Sequence, residues 1–330
     1  MKKIRIFGAA LVAALWLGLA VFAWVKPAQD ISDAERRPLQ QFPELSAQTL
    51  LDGKFMPKFE DYTLDQFPLR DGFRQVKSLF HYYVLGQKDN NDIFLQDGYA
   101  AKLEYPLNET SVSGALQKFQ FIYDSYLKDT GSKVFTSVVP DKCYYLQDSG
   151  YLTMDYEALF EMVRQGMPYA HYVDLTDTLT LQDYYRTDTH WRQERILNAA
   201  QRLCEALGMP APQSDEFTAV ALERPFYGVY YGQAALPMEP ETMYLLESEK
   251  LTNCLVTNHE TGKTTSVYDM EKLESRDLYD VYLSGASALL KIINPNAATN
   301  RELVVFRDSF GSSIIPLLLK DYASVTVVDF

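Results

Sequence analysis

The sequence predicts an α/β domain behind an N-terminal membrane-spanning helix, with a β-rich stretch inserted at about residues 212–290. Three observations lead to it. A basic start precedes an uncharged apolar run from Ile6 to Val25. Apolar runs of strand length then alternate with segments of helical periodicity, the signature of an α/β sheet. That rhythm breaks between about 212 and 290, where short strands and turn residues take over, and resumes to the end of the chain.

The elements follow in order. Lys2, Lys3 and Arg5 precede the twenty residues 6–25, a length that matches the hydrocarbon core of a bilayer. The charge bias places the N-terminus in the cytoplasm and residues 27–330 outside. An uncleaved anchor is expected; a signal peptide cut near Val21-Phe22-Ala23 is the alternative, and either exports the remainder. Residues 27–46 are polar, contain three prolines, and read as an extended linker between the 1–26 segment and a domain over 47–330. Two helices divided at Pro68 come next, with Phe73, Val76, Phe80 and Tyr83 at helical spacing. NDIFLQDGYAAKLE signals a hairpin turning at Asp-Gly. Helices are predicted over 112–128, in YEALFEMVRQG up to Gly166, and from Trp191 to Gly208. Strands are predicted at 133–140 and in AHYVDL. After the β-rich stretch come ALLKIINP, ELVVFRDSF, SSIIPLLLK and SVTVVDF, again strand and helix in alternation.

Composition excludes some functions. The 330 residues carry a net charge of −13, so no nucleic-acid partner is expected, since phosphate binding needs a basic surface. Cys143, Cys204 and Cys254 are too few and too widely spaced for a disulfide framework or a zinc site. All three read as structural. No metal or cofactor is implied.

The chemistry-bearing stretch is VVFRDSFGSSIIPLLLK, residues 304–320. Ser309 stands where a strand meets a helix. That position suits a helix cap, because its oxygen can accept from free N–H groups. It equally suits a nucleophile, because the same N–H groups can hold an oxyanion. A serine nucleophile needs a base, and there are four histidines. His81 falls in a predicted helix, His171 begins a strand and His259 lies in a polar turn. His190 lies in YYRTDTHW, two residues after Asp188. In extended chain, residues two apart point the same way, so Asp188 can orient the imidazole and stabilise its protonated form. The bland reading is that Asp188 or Thr189 caps the helix that follows.

YYRTDTHW, FPLRD (67–71) and FRDSFGSSIIPLL together resemble the DHHW proteins, which in turn resemble the SGNH-hydrolase-like alginate O-acetylation proteins. The resemblance runs from about residue 35 to the end and takes in NDIFLQDGYAAKLE and VVPDKCYYL. It implies a three-layer α/β/α sandwich of SGNH type with Asp188, His190 and Ser309 as a triad, the serine coming last. Two positions depart from the pattern. Thr189 replaces the first histidine of Asp-His-His-Trp, and Arg307 replaces the glycine of Gly-Asp-Ser. Arg307 is assigned no catalytic role.

On this resemblance the expected activity is O-acetyl transfer to an exported cell-surface polysaccharide. Ser309 takes the acyl group, His190 the serine proton, and the N–H of Ser309, with that of Phe310 or Gly311, faces the oxyanion. A multi-pass membrane protein is expected as acyl donor. The alternatives are a carbohydrate esterase and a non-catalytic glycan-binding or scaffold protein. A third oxyanion donor is expected from another loop; Lys142 is a candidate but reads rather as a solvated lysine. The resemblance also implies that the chain is shortened at its C-terminus, where relatives continue past SVTVVDF.

Overall fold

The computed structural model describes residues 2–329, and two compact units emerge within it. One comprises residues up to Asn90 together with Gly232–Pro237; the other comprises Asn91–Tyr231 and Met238–Phe330.

The first unit opens with the helix Lys2–Val25, which is fully solvent-facing where it is most apolar. It is the one helix among the described residues long and apolar enough to cross a membrane. Residues 27–46 are not an extended linker. Ile31–Ser32 and Arg37–Pro38 form a short antiparallel ladder, and Arg37 makes a two-pronged bond to Asp65 at 2.9 and 2.6 Å. Paired charges and backbone bonds therefore hold a stretch whose composition alone suggests freedom. The helices Ala47–Leu51, Phe55–Asp65 and Arg70–Leu79 follow. The expected break at Pro68 falls between the second and third, and the third continues as a π-helical turn through Val84.

In the second unit, Ile93–Gln96 and Tyr99–Lys102 form the expected hairpin. Asp97 and Gly98 turn it with φ of 52° and 81°, the double positive φ of a type I′ turn. Glu109–Ile122 is helical, capped by the Asn108 side chain accepting from the Ser111 N–H. Tyr156–Gly166 is capped by Asp155 and buries Tyr156, Phe160 and Val163, one stripe at helical spacing. It joins two parallel strands, Val134–Thr136 and Ala170–Tyr172. The first of these is shorter than the expected 133–140, because the chain leaves the pair before Pro140 and Asp141 caps a 3₁₀ turn.

The main sheet has five strands in the spatial order 264–265, 255–258, 289–293, 322–329 and 301–307. All its pairings are antiparallel except the last, where Arg301–Arg307 runs parallel to Tyr322–Asp329 across the helix Gly311–Leu318. Phe330 lies outside the described residues. Strands 255–258 and 264–265 belong to this same sheet, so the β-rich stretch is not an insertion set apart from it. Within 212–290 the strands Thr218–Ala221 and Tyr244–Glu247 pair with each other apart from that sheet, as do the isolated bridges Phe226–Glu241 and Tyr268–Tyr282. A further correction falls inside the stretch: GVYYGQ is not strand, because Val229–Ala234 is a short helix. Leu290, Ile292, Val325 and Val327 point from the sheet into the core against Ile315, Leu317 and Leu319.

Ile292 is completely buried at the centre of this sheet. Ile292→Ala is expected to lower unfolding free energy by about 2–5 kcal/mol, through lost transfer energy and the cavity left behind. Urea denaturation measures it, and an unchanged midpoint would contradict the packing described.

Candidate active site

Ser309 lies between the end of the 301–307 strand and the start of the 311–318 helix. No side chain caps the 311–318 helix, and the backbone N–H groups at this junction turn to the neighbouring Asp308 instead. Asp308 Oδ1 accepts from the Phe310 N–H at 3.0 Å, and the Asp308 carbonyl accepts from the Gly311 N–H at 3.1 Å. The Ser309 hydroxyl is thereby left for another partner. It sits 2.7 Å from His190 Nε2. On the far side of the ring, His190 Nδ1 is 2.5 Å from Asp188 Oδ1. With Nδ1–H donating to the carboxylate, Nε2 is the acceptor for the serine O–H. Asp188, His190 and Ser309 thus form one hydrogen-bonded line, with the carboxylate fully buried, the imidazole buried and the serine exposed.

The loop that presents Asp188 and His190 is closed by a bridge between Tyr184 and Trp191. The Tyr185 N–H donates to the His190 carbonyl at 3.0 Å. This bridge also explains why the helix expected from Trp191 starts later: a 3₁₀ turn at Gln193–Arg195 precedes the helix Leu197–Ala206. Asp188 accepts at both oxygens. Oδ1 takes the His190 backbone N–H at 3.1 Å, and Oδ2 takes the Val229 N–H at 2.7 Å. A buried carboxylate needs such partners to remain charged. Gly228 makes the approach possible. A Cβ there would fall 2.3 Å from the Thr187 carbonyl oxygen and 2.4 Å from Asp188 Cα. One residue earlier in the loop, Glu241 grips Thr187 through its N–H and its hydroxyl, both at 2.8 Å.

The imidazole is positioned by packing as well. Tyr279 stacks on it at 3.9 Å between ring centroids, 10° from parallel, and Phe310 tilts against it at 5.2 Å. Trp191 Nε1–H donates to Ser313 Oγ at 2.8 Å, and the Tyr279 hydroxyl meets the same atom at 2.7 Å. Ser313 lies one helical turn beyond Ser309. The residue after the histidine and the ring beneath it are therefore both tied to the helix that carries the serine. Gln193 adds a third tie by donating to the Ser313 carbonyl at 2.8 Å.

Two expectations about anion binding change. The Phe310 and Gly311 N–H groups are engaged with Asp308, while the Ser309 N–H takes no acceptor among the described residues. Lys142 is not a solvated lysine. It is buried, its Nζ donates to the carbonyls of Ala100 and, at 3.0 Å, Tyr185, and it lies 4.9 Å from the Tyr230 ring centroid. Burial pushes its pKa down to about 8, against the favourable charges of Asp188 and Glu241. Arg307 is likewise buried. It donates to the Gly285 carbonyl at 3.0 Å and pairs with Asp329 at 3.4 Å, which leaves it a structural strand-end residue. Cys143 is buried with its thiol donating to the Lys102 carbonyl, and burial pushes its pKa up to about 12, which suits an inert thiol. Cys204 and Cys254 are buried too. His81, His171 and His259 take no part in this line.

Sequence reasoning missed Tyr279, Gly228, Val229 and Glu241. Only Gly228 carried any signal, a glycine where a backbone must approach closely.

Residues 169–328 match the DHHW protein family. Among solved structures, Bacillus cereus PatB1 with a sulfonyl adduct superposes with a TM-score of 0.59 at 15% identity, covering 72% of this chain and 84% of that one. A DHHW family protein from Eubacterium siraeum superposes with a TM-score of 0.53 at 19% identity, covering 73% and 83%. The O-acetyltransferase domain of Pseudomonas putida AlgJ gives a TM-score of 0.43 at 17% identity, over 72% and 80%. The first two likenesses establish a shared fold. No curated protein sequence matches the chain.

The close packing at Gly228 makes Gly228→Ala a local probe. It is expected to cost about 1–3 kcal/mol by overpacking and to abolish the downfield NMR resonance of the His190 Nδ1 proton by displacing Asp188. Retention of that resonance would show that the loop adapts. Lys142 gives a pH test. Its folded pKa of about 8 lies below the unfolded lysine value, so the unfolded state binds the extra proton between the two. Stability from this group therefore rises with pH from about 8 toward 10.4, by up to roughly 3 kcal/mol. Relative to Lys142→Met, the wild-type protein should gain stability between pH 8 and about 9.5, below most tyrosine titration. Parallel curves for the two proteins would refute it.

Proposed function

From the DHHW-family domain that residues 169–328 form, we propose an extracytoplasmic O-acyl transferase of SGNH type, which moves an acetyl group to a hydroxyl of an exported polysaccharide through Ser309. The observation that carries this reading is the unbroken line from the buried Asp188 carboxylate through His190 to the exposed Ser309 hydroxyl.

His190 Nε2 takes the Ser309 proton as Oγ bonds to the acyl carbonyl carbon. Asp188 stabilises the imidazolium and stays ionised. The carbonyl oxygen becomes an oxyanion within reach of the free Ser309 N–H. When the intermediate collapses, the bond to the donor oxygen breaks, and that oxygen leaves with the proton from His190. An acyl-Ser309 ester remains. An acceptor hydroxyl then gives its proton to His190 and attacks the ester, and the serine regains its proton as the acylated acceptor departs. If water is the acceptor, the same steps make an esterase. Residues 6–25 serve as the uncleaved anchor with the domain outside, and a multi-pass membrane protein serves as the acyl donor.

Ser309→Ala is expected to remove turnover of a chromogenic acetyl ester while shifting stability by no more than about 1 kcal/mol. The hydroxyl caps no helix among the described residues, and its removal costs the hydrogen bond to His190 Nε2, a net loss of about 1 kcal/mol. An aryl sulfonyl fluoride should add its sulfonyl mass to the wild-type protein at Ser309 and leave Ser309→Ala unmodified. Turnover that survives in Ser309→Ala would end the proposal. Including a soluble glycan acceptor separates the two outcomes, acylated glycan for a transferase and free acetate alone for an esterase.

A further inference from the structure

The helix Arg70–Leu79, with its continuation Phe80–Val84, is amphipathic in the reverse of the usual sense. Three of its polar side chains, Arg70, Arg74 and Ser78, face the protein, while Asp71, Gln75 and Lys77 are exposed. Ser78 is fully buried and donates to the Ala234 carbonyl at 2.6 Å. Arg74 donates to the carbonyls of Gly232 and Gln233 at 3.0 and 3.2 Å and pairs with Glu35 at 3.3 Å. Arg70 pairs with the same carboxylate at 2.5 Å. Residues 70, 74 and 78 are thus one inward stripe at intervals of four. The outward stripe is apolar: Phe73 is 49% exposed, Val76 65%, Phe80 49% and Tyr83 68%. A surface helix in water normally shows the opposite arrangement, and a continuous exposed apolar stripe marks a face that something covers.

The chain itself indicates what covers it. The helix Lys2–Val25 is extended by the Lys26 N–H bonding to the Phe22 carbonyl. Only four positions past Val25, Gln29 is locked to Gln66 in both directions: its N–H donates to Gln66 Oε1 at 2.9 Å, and its carbonyl accepts from Gln66 Nε2 at 2.8 Å. Gln66 is buried, four residues before Arg70. Four residues reach at most about 14 Å. Trp24, 82% exposed, marks the end of the apolar helix with the kind of side chain that favours the headgroup level. A bilayer crossed by residues 6–25 therefore lies within a few residues of the unit that bears the inverted helix.

We propose that the outward face of the 70–84 helix lies in the headgroup–acyl boundary of the same bilayer, as an interfacial helix beside its own anchor. The proposal rests on residues 6–25 crossing the bilayer uncleaved, and it is independent of the acyl-transfer reading. The association is apolar. A net charge of −13 gives no general attraction to anionic headgroups, so contact should persist at high salt and in zwitterionic lipid.

The test uses the full chain in phosphatidylcholine proteoliposomes. The three native thiols are buried, so single cysteines introduced by Val76→Cys, Tyr83→Cys and Thr261→Cys take an environment-sensitive fluorophore selectively. Thr261, in an exposed turn of the other unit, is the control. Lipids carrying a spin-label quencher near the headgroup are expected to quench positions 76 and 83 several-fold more than position 261, equally at low and high salt. Each labelled protein is checked by thermal unfolding, so that a misfolded variant is not counted. Equal quenching at all three positions overturns the proposal. A blue shift at 76 and 83 that grows with protein-to-lipid ratio, without lipid quenching, overturns it in favour of a second copy of the chain. An intact mass showing loss of the first residues overturns it as well, because the tether is then gone.

Discussion

A carboxylate with no exposure to water governs the geometry of the candidate site. Asp188 would be costly to bury as an anion unless its oxygens met donors, and those it meets include the His190 ring, the His190 backbone N–H and the Val229 N–H. Each of these makes a demand on the chain. The His190 contacts require the tight Tyr184–Trp191 bridge. The Val229 contact requires a residue without Cβ at position 228. Glu241 then holds the backbone just ahead of the aspartate. The loop is consequently specified from three separate stretches of sequence, and the imidazole inherits its orientation from them.

The serine is placed by a different device. A parallel strand pair joined by a helix leaves the chain turning sharply at the strand end, where the first N–H groups of the helix would go unpaired. Asp308 accepts from that end, so the adjacent serine hydroxyl is not drawn into capping. Ser313, one turn on, collects bonds from Trp191 and Tyr279. The helix that carries Ser309 is therefore registered against the loop that carries His190 by buried polar contacts, which are sensitive to small displacements. Lys142, buried against the carbonyls of Ala100 and Tyr185, extends the same logic to the 93–102 hairpin.

The first unit shows how far paired polar groups can invert ordinary burial. Glu35, Arg70, Arg74 and Ser78 form an internal polar seam, and the apolar residues of the 70–84 helix are left outside. Such an arrangement is unfavourable in water alone and becomes reasonable beside an apolar phase. The hydrogen bonds between Gln29 and Gln66 keep the unit close to the end of the apolar helix.

Periodicity and local chemistry made much of this legible. The apolar length of residues 6–25, the Asp97-Gly98 turn, the Asp155 cap and the strand–helix–strand at 301–329 are all dictated by neighbours in sequence. So was the pairing of Asp188 with His190, because an interval of two places side chains on one side of an extended loop. Other features depend on residues far apart in the chain. Whether Ser309 capped a helix or met a histidine turned on which oxygen Asp308 offered and on a loop 119 positions away. The burial of Lys142, the ring of Tyr279 beneath His190 and the folding of residues 27–46 against Asp65 arise from packing between distant segments. Local sequence determines which conformations a segment favours; only tertiary structure decides which polar groups lose water, and that loss determines the partners they must find.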